Sequence, residues 1–260
     1  MKIGVSCPPE YWHLLKAIGF DFAEGNFTST ALAEESEFCV LCEQREAAGL
    51  DVEAFNCFFP SRITLYENDW KETAVSLRQF AEKGFERANI LGGKIAVIGS
   101  GKSRSIPSGM NPKDAEARFL SILSLLGEMA EKADMRIAIE PLSFTETNLI
   151  NTVCDGYDFA VKTGCKNVGT MIDFYHAFTV GDSLHSLPIA KEKLFHVHIA
   201  RPNLDRKVPT EADREACIRY ARALKSINYD GRISLEAVFD KDIEKDFRNT
   251  YPLMQLFREG

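Results

Sequence analysis

No apolar run in this 260-residue chain reaches the roughly 18 residues that a membrane-spanning helix needs. The N-terminal KIGVS is too short for the apolar segment of a secretion signal. A membrane partner is therefore not expected, and the cytoplasm is the expected location. Positive charge is also in short supply. Lys and Arg number 31 against 38 Asp and Glu, a formal charge of −7, so most of the surface repels polyanions and nucleic acid is disfavoured as a partner. Cysteine offers no framework: the seven thiols, at 7, 39, 42, 57, 154, 165 and 217, are odd in number and scattered, which fits reduced thiols. Cys39 and Cys42 form a CxxC, but no second CxxC completes a four-thiolate zinc site, and the stretch ALAEESEFCVLCEQREAAG has a helical pattern that puts both on a helix face. Repeats, low-complexity tracts and Pro/Gly/Ser linkers are missing too, so residues 1–260 are expected to form one domain, a length at which α/β barrels often run undivided.

What is present is a rhythm. Short apolar runs alternate with longer helical patterns, which implies βα units around a parallel sheet. Eight strands are predicted, at 2 to 7, 20 to 25, 51 to 59, 94 to 100, 136 to 142, 168 to 174, 194 to 200 and 232 to 238. Helical stretches such as WKETAVSLRQFAEKGFERAN and AEARFLSILSLLGEMAEKA separate them, and IEKDFRNTYPLMQLF is predicted to close the chain as a helix interrupted at Pro252. Eight such pairs in this length predict an α/β fold, a single (β/α)8 TIM barrel.

Polar residues at the C-terminal ends of barrel strands point to catalysis, because the layers beneath them hold packed aliphatic side chains. Glu140 ends IAIE, Asp173 ends TMID, His198 ends HVH and Glu236 ends ISLE. Period-2 alternation puts His196 and His198 on one face of their strand; His198 is at the strand end and is the candidate ligand, whereas His196 is one layer deeper and reads as a hydrogen-bonded core histidine. Singly, each acid reads as an ion-pair partner or helix N-cap. Four polar groups at corresponding positions of strands 5 to 8 are harder to explain that way, because the three carboxylates would repel unless a cation joined them, and an oxygen-rich set with one imidazole suits Mn²⁺, Mg²⁺ or Co²⁺.

The segments EPLSFTETNLINT (140 to 152), IDFYH (172 to 176), HVH with the later DRKVP, and SLE (234 to 236) resemble the xylose-isomerase-like barrels, and among them the D-tagatose and D-psicose 3-epimerases. The resemblance implies that Glu140, Asp173, His198 and Glu236 are the ligands of one divalent metal, with Mn²⁺ the first choice and Mg²⁺, Co²⁺ or Zn²⁺ the others. It implies Glu140 and Glu236 as the catalytic pair and Glu146, His176 and Arg206 as substrate-binding residues. Glu24, in FDFAEG, matches an acid common after the second strand of these barrels, in a structural, rim or catalytic role. Ser143 and Phe144 stand where the family often has asparagine and arginine, which leaves the sugar open.

The implied activity is metal-dependent isomerisation or epimerisation of a small sugar, first of all 3-epimerisation of a keto-sugar through a cis-enediolate, with aldose–ketose or hydroxypyruvate-type isomerisation as the alternative. A dimer or tetramer is the implied assembly. Two other classes compete. Apurinic-endonuclease-like barrels use a three-zinc cluster and need more histidines than this chain has, since none occurs between His13 and His176. A non-catalytic sugar-binding barrel predicts a missing ligand or base. The loop GSGKSRSIPSGMNP (99 to 112) ends a P-loop pattern only superficially, because position 96 is Ala where that motif needs Gly. Lys102, Arg104 and Arg201 come from rim loops; two of them facing the pocket would favour an anionic substrate. No glycine-rich phosphate loop follows strands 7 and 8, so a neutral keto-sugar is expected.

Overall fold

The computed structural model describes residues 1–60, 65–67 and 69–259. Runs such as IAVI and RIAI are too short for helices and rich in β-branched residues. They become strands covered on both faces, as a parallel barrel requires. Eight of them pair in chain order: β1 (Lys2–Ser6), β2 (Phe22–Asn26), β3 (Val52–Asn56), β4 (Ile95–Ile98), β5 (Arg136–Ile139), β6 (Val168–Asp173), β7 (Leu194–Ile199) and β8 (Arg232–Leu235). Closure is made by parallel pairing of β8 with β1, from Lys2 opposite Arg232 to Val5 opposite Leu235. The result is the predicted closed (β/α)8 barrel.

Helices shield the outside of the sheet. Trp70–Ile90 starts at Asp69, whose side chain accepts from Glu72 N, and buries Leu77, Ala81, Phe85 and Ala88 at helical spacing. Pro112–Lys132 starts at Asn111 with Pro112 in its first turn and buries Phe119, Ile122, Leu123 and Leu126. The cysteines of the CxxC lie on the helix Glu35–Ala48, as expected, with Cys39 exposed. Among the described residues no helix is long and apolar enough to cross a membrane.

The closing helix differs from expectation. It runs unbroken through Ile243–Glu259 with Pro252 inside it. Pro252 and Arg248 are both exposed, so the carbonyl that proline leaves without an amide partner faces water, while Phe247, Thr250, Leu253, Met254 and Phe257 pack on the core and hold both halves in line.

Inside the barrel, Phe22, Ala54, Ile95, Val97, Ala138, Met171 and Phe195 form a separate apolar plug. A Cβ on Gly4 would lie 2.6 Å from the Phe22 ring, so the glycine on β1 is what lets that ring cross the interior. The strands are shorter than their apolar runs, and β5 and β8 end one residue before the acids. The ladder nevertheless goes one bond further: Glu140 N donates to Ile98 O (3.1 Å) and Glu236 N to Ile199 O (3.0 Å), which keeps both side chains directed inward above the plug.

Candidate active site

The carboxylates and the imidazole meet at the C-terminal mouth. One donor atom from each of Glu140, Asp173, His198 and Glu236 lies within 4.8 Å of the others. His198 Nδ1 is 2.9 Å from Glu236 Oε2 and 3.3 Å from Glu140 Oε1. Asp173 serves two ends: Oδ1 caps the helix Phe174–Val180, accepting from Tyr175 N (2.7 Å) and His176 N (3.4 Å), and this aims Oδ2 at the cluster. The helix-cap reading of this acid is therefore met by one oxygen, and the other is left facing the cluster.

So much negative charge in a buried place has consequences. Glu140 is pushed up from the usual carboxylate range, first by burial and then by the charge of Glu236. For Glu236 burial works upward as well, but His198 and Arg206 outweigh it and hold this carboxyl well below the usual range. Burial would lower His198; Glu236 and Glu24 reverse that and raise it well above the ordinary histidine value. The site thus puts the two glutamates in different electrostatic surroundings, one pushed up by burial and the other pulled down by its cationic neighbours.

Three hard oxygen donors and one nitrogen around a single point fit a divalent cation such as Mn²⁺ or Mg²⁺. That this pocket calls for positive charge is visible in Arg206, whose guanidinium donates to Asp173 Oδ2 (2.9 Å) and Glu236 Oε2 (2.5 Å) while its Cζ lies 5.0 Å from the centroid of the Tyr175 ring. Arg206 has φ 51°, a left-handed backbone that a non-glycine residue adopts only under constraint.

A cavity of about 410 Å³ opens over the cluster, bounded by Glu140, Glu236, Glu146, His176, Arg206 and Lys102 among others. A larger hollow, about 640 Å³, lies at the other end of the barrel and contains none of these residues. The three residues expected to bind substrate are therefore together. His176 is buried; its Nδ1 accepts from Ser143 N at 3.3 Å and lies 3.7 Å from Glu146 Oε1, and its Nε2 has no hydrogen-bond partner.

The rim cations do not behave as the two-cation condition for an anionic substrate requires. Only Lys102 borders this cavity. The helical turn Gly101–Arg104 turns Arg104 inward, where it is fully buried and donates to the carbonyls of Glu140 (2.6 Å) and Ile98 (3.4 Å). Arg201 faces Asp205 (3.5 Å) and Asp213 (3.6 Å) outside it. Loop position alone could not separate a rim cation from one that braces a strand end.

Two supporting residues have a role that sequence reasoning missed or left open. Asn56, the last residue of β3, donates to Glu236 Oε1 (2.7 Å) and to Ser6 Oγ (2.9 Å). Its signal was weak, because the predicted strand at 51 to 59 continues through Cys57, Phe58 and Phe59 and so leaves this polar residue inside the run and not at its end. Glu24 is fully buried; Oε1 is 3.0 Å from His198 Nε2 and Oε2 is 3.0 Å from His196 Nε2. His196 also meets Ser234 Oγ at 3.3 Å, and its Nδ1 has no partner. Burial would raise Glu24, but His198 and His196 outweigh it and bring the carboxyl down to about 2.

Comparison with known proteins gives concordant results. The sequence profile of the xylose isomerase-like TIM barrels matches residues 12–255. The chain is 26% identical over 133 residues to a Synechocystis sp. protein named "Probable ketose 3-epimerase", covering 51% of this chain and 45% of that one. It is 31% identical over 112 residues to the D-psicose 3-epimerase of Ruminiclostridium cellulolyticum, covering 43% and 37%. The matched stretches thus span less than half the length of these curated relatives. A solved D-psicose 3-epimerase, determined in the presence of D-fructose, superimposes with a TM-score of 0.83 over the whole of both chains at 19% identity, a likeness of fold alone.

Proposed function

The chain belongs to the xylose isomerase-like TIM barrel family, and from that premise we propose that it is a divalent-metal-dependent sugar isomerase or epimerase that inverts carbon 3 of a neutral keto-sugar. The observation that carries this reading is the meeting of Glu140, Asp173, His198 and Glu236 beneath a sugar-sized cavity. The names of the relatives, ketose and D-psicose 3-epimerases, support it.

A divalent ion held by those four side chains would supply Lewis-acid stabilisation of charge developing on the substrate oxygens. Glu236, kept ionised beside His198 and Arg206, is suited to take the proton from carbon 3, whose C–H electron pair moves into the adjacent carbonyl to give the enediolate. Glu140, entering this step as the carboxylic acid, would return a proton to the other face of that carbon. The reverse reaction exchanges the roles. Glu146, His176 and Arg206 offer an acceptor, an imidazole and a guanidinium to the hydroxyls, fixing which carbon lies between the two glutamates. Of the three loop cations Lys102, Arg104 and Arg201, Lys102 alone borders the cavity among the described residues, which supports an uncharged substrate. A three-metal DNA-repair site is not supported: His13 and His185 are exposed on the outer layer, so no further imidazole reaches the mouth.

The test is incubation of the Mn²⁺-supplemented protein with D-psicose, D-fructose and D-tagatose in D₂O, with products resolved by stereochemistry. Deuterium at carbon 3 with formation of the epimer is expected. Label and product at the adjacent carbon would instead assign aldose–ketose isomerisation, and no exchange at any carbon would reject both.

A further inference from the structure

We propose that Glu24 is a positioning residue for the metal, acting through His198 by choosing which ring nitrogen carries the proton. The inference rests on the reading that Glu140, Asp173, His198 and Glu236 hold a divalent ion. An imidazole can offer a lone pair at Nδ1 only when its single proton is on Nε2. His198 Nδ1 is the atom turned to Glu140 and Glu236, and its Nε2 is 3.0 Å from Glu24 Oε1. A carboxylate accepts and does not donate, so it stabilises the Nε2–H form and leaves Nδ1 free to ligate.

Glu24 is itself held. His196 Nε2 stands 3.0 Å from its other oxygen, His196 and His198 cross edge-to-face with centroids 4.9 Å apart, and all three side chains are fully buried. With each oxygen assigned to one imidazole, the carboxylate cannot rotate without breaking a buried hydrogen bond. His196 accordingly has a task beyond filling the core: it fixes the residue that fixes the ligand.

The experiment titrates Mn²⁺ calorimetrically into chelator-stripped wild type, Glu24→Gln, Glu24→Leu and Asp173→Asn. Glutamine keeps an acceptor for His198 but loses the charge, and leucine loses both. The expected order of Kd is wild type, then Gln, then Leu, with Glu24→Gln weakened by about 10- to 100-fold and a single equivalent bound by wild type. A purely structural Glu24 would lower the melting temperature and leave Kd unchanged, which would overturn the inference. So would a second Mn²⁺ equivalent that disappears in Glu24→Gln, because Glu24 would then be a ligand. Asp173→Asn separates the premise from the inference: if it binds Mn²⁺ like wild type, the metal reading itself has failed. The wild type alone supplies a further readout should the Glu24 variants not fold. Nitrogen-15 spectra of the Zn²⁺-loaded protein should show His198 protonated at Nε2, and protonation at Nδ1 overturns the proposal.

Discussion

Gly99, the residue after β4, has no side chain where the Glu140 carboxylate needs space, and this allows the proposed proton carrier to be displaced without being touched. A Cβ at position 99 would stand 2.2 Å from Glu140 Oε2 and 3.3 Å from its Cδ. Comfortable contact begins at roughly 3.5 Å, so in Gly99→Ala the carboxylate must retreat by about 1 Å. The obstructed atom is the free end of a flexible side chain, so the retreat costs a rotamer adjustment of about 1 kcal/mol and leaves the backbone alone. A shift of about 1 Å in a reacting group costs on the order of 100-fold in rate, equivalent to about 2.7 kcal/mol of transition-state stabilisation at 1.36 kcal/mol per tenfold. The assay pairs deuterium wash-in at carbon 3 with a thermal melt. Turnover should fall by about two orders of magnitude while Tm drops by no more than about 4 °C, the shift that about 1 kcal/mol gives a chain of this size. Gly101→Ala is the contrasting control, because its Cβ would meet the Glu146 carbonyl oxygen at 2.6 Å, a backbone atom that cannot step aside cheaply. It should lower Tm more than Gly99→Ala does. Turnover near wild type in Gly99→Ala, in a preparation where Glu140→Gln is inactive, would refute the reasoning.

Glu140→Gln and Glu236→Gln should each reduce kcat by at least about 100-fold, the scale of general acid–base catalysis, with the far-ultraviolet circular dichroism unchanged; normal turnover in either would remove that carboxylate from the proton path. Arg104→Met should destabilise the protein by about 2 kcal/mol, since it leaves the Glu140 carbonyl in a buried place without its donor, and chemical denaturation measures this; Lys102→Ala should leave kcat/KM for a free ketose within about twofold, a change inside the range of a screened surface charge. Acid should unfold the metal-free protein in part through Glu24. Its folded value, about 2, is below that of an unfolded glutamate, so the stability it contributes is present above the unfolded value and is lost as pH falls toward 2. In Glu24→Gln the acid limb of a pH–stability curve should therefore be shallower, and an unchanged limb would show that Glu24 is not held this way.

The local pattern of the chain determined the barrel. Eight short apolar runs with helical stretches between them allow few other solutions, and strict alternation along a strand decides which side chains face inward, so Glu140, Asp173, His198 and Glu236 were legible as one set. Boundaries were less so, because an apolar run continues past the last strand bond wherever the next loop is itself buried, as at 136 to 142 around Glu140. Pro252 was misjudged for a related reason. Its effect depends on whether the freed carbonyl meets water, and that is a property of the packed helix. What only the tertiary structure decided is which partners the inward side chains meet. Glu24 reaches His196 and His198 across 172 and 174 residues of chain, and Asn56 reaches Glu236 across 180. Arg104 and Lys102 are two residues apart in one loop, yet the helical turn at 101–104 buries the first against strand ends and leaves the second beside the cavity. Spacing along a sequence fixes a side chain's direction relative to its own strand or helix; closing the ring of eight strands is what sets the distance to the strand opposite, and hydrogen bonds across the barrel exist only after that.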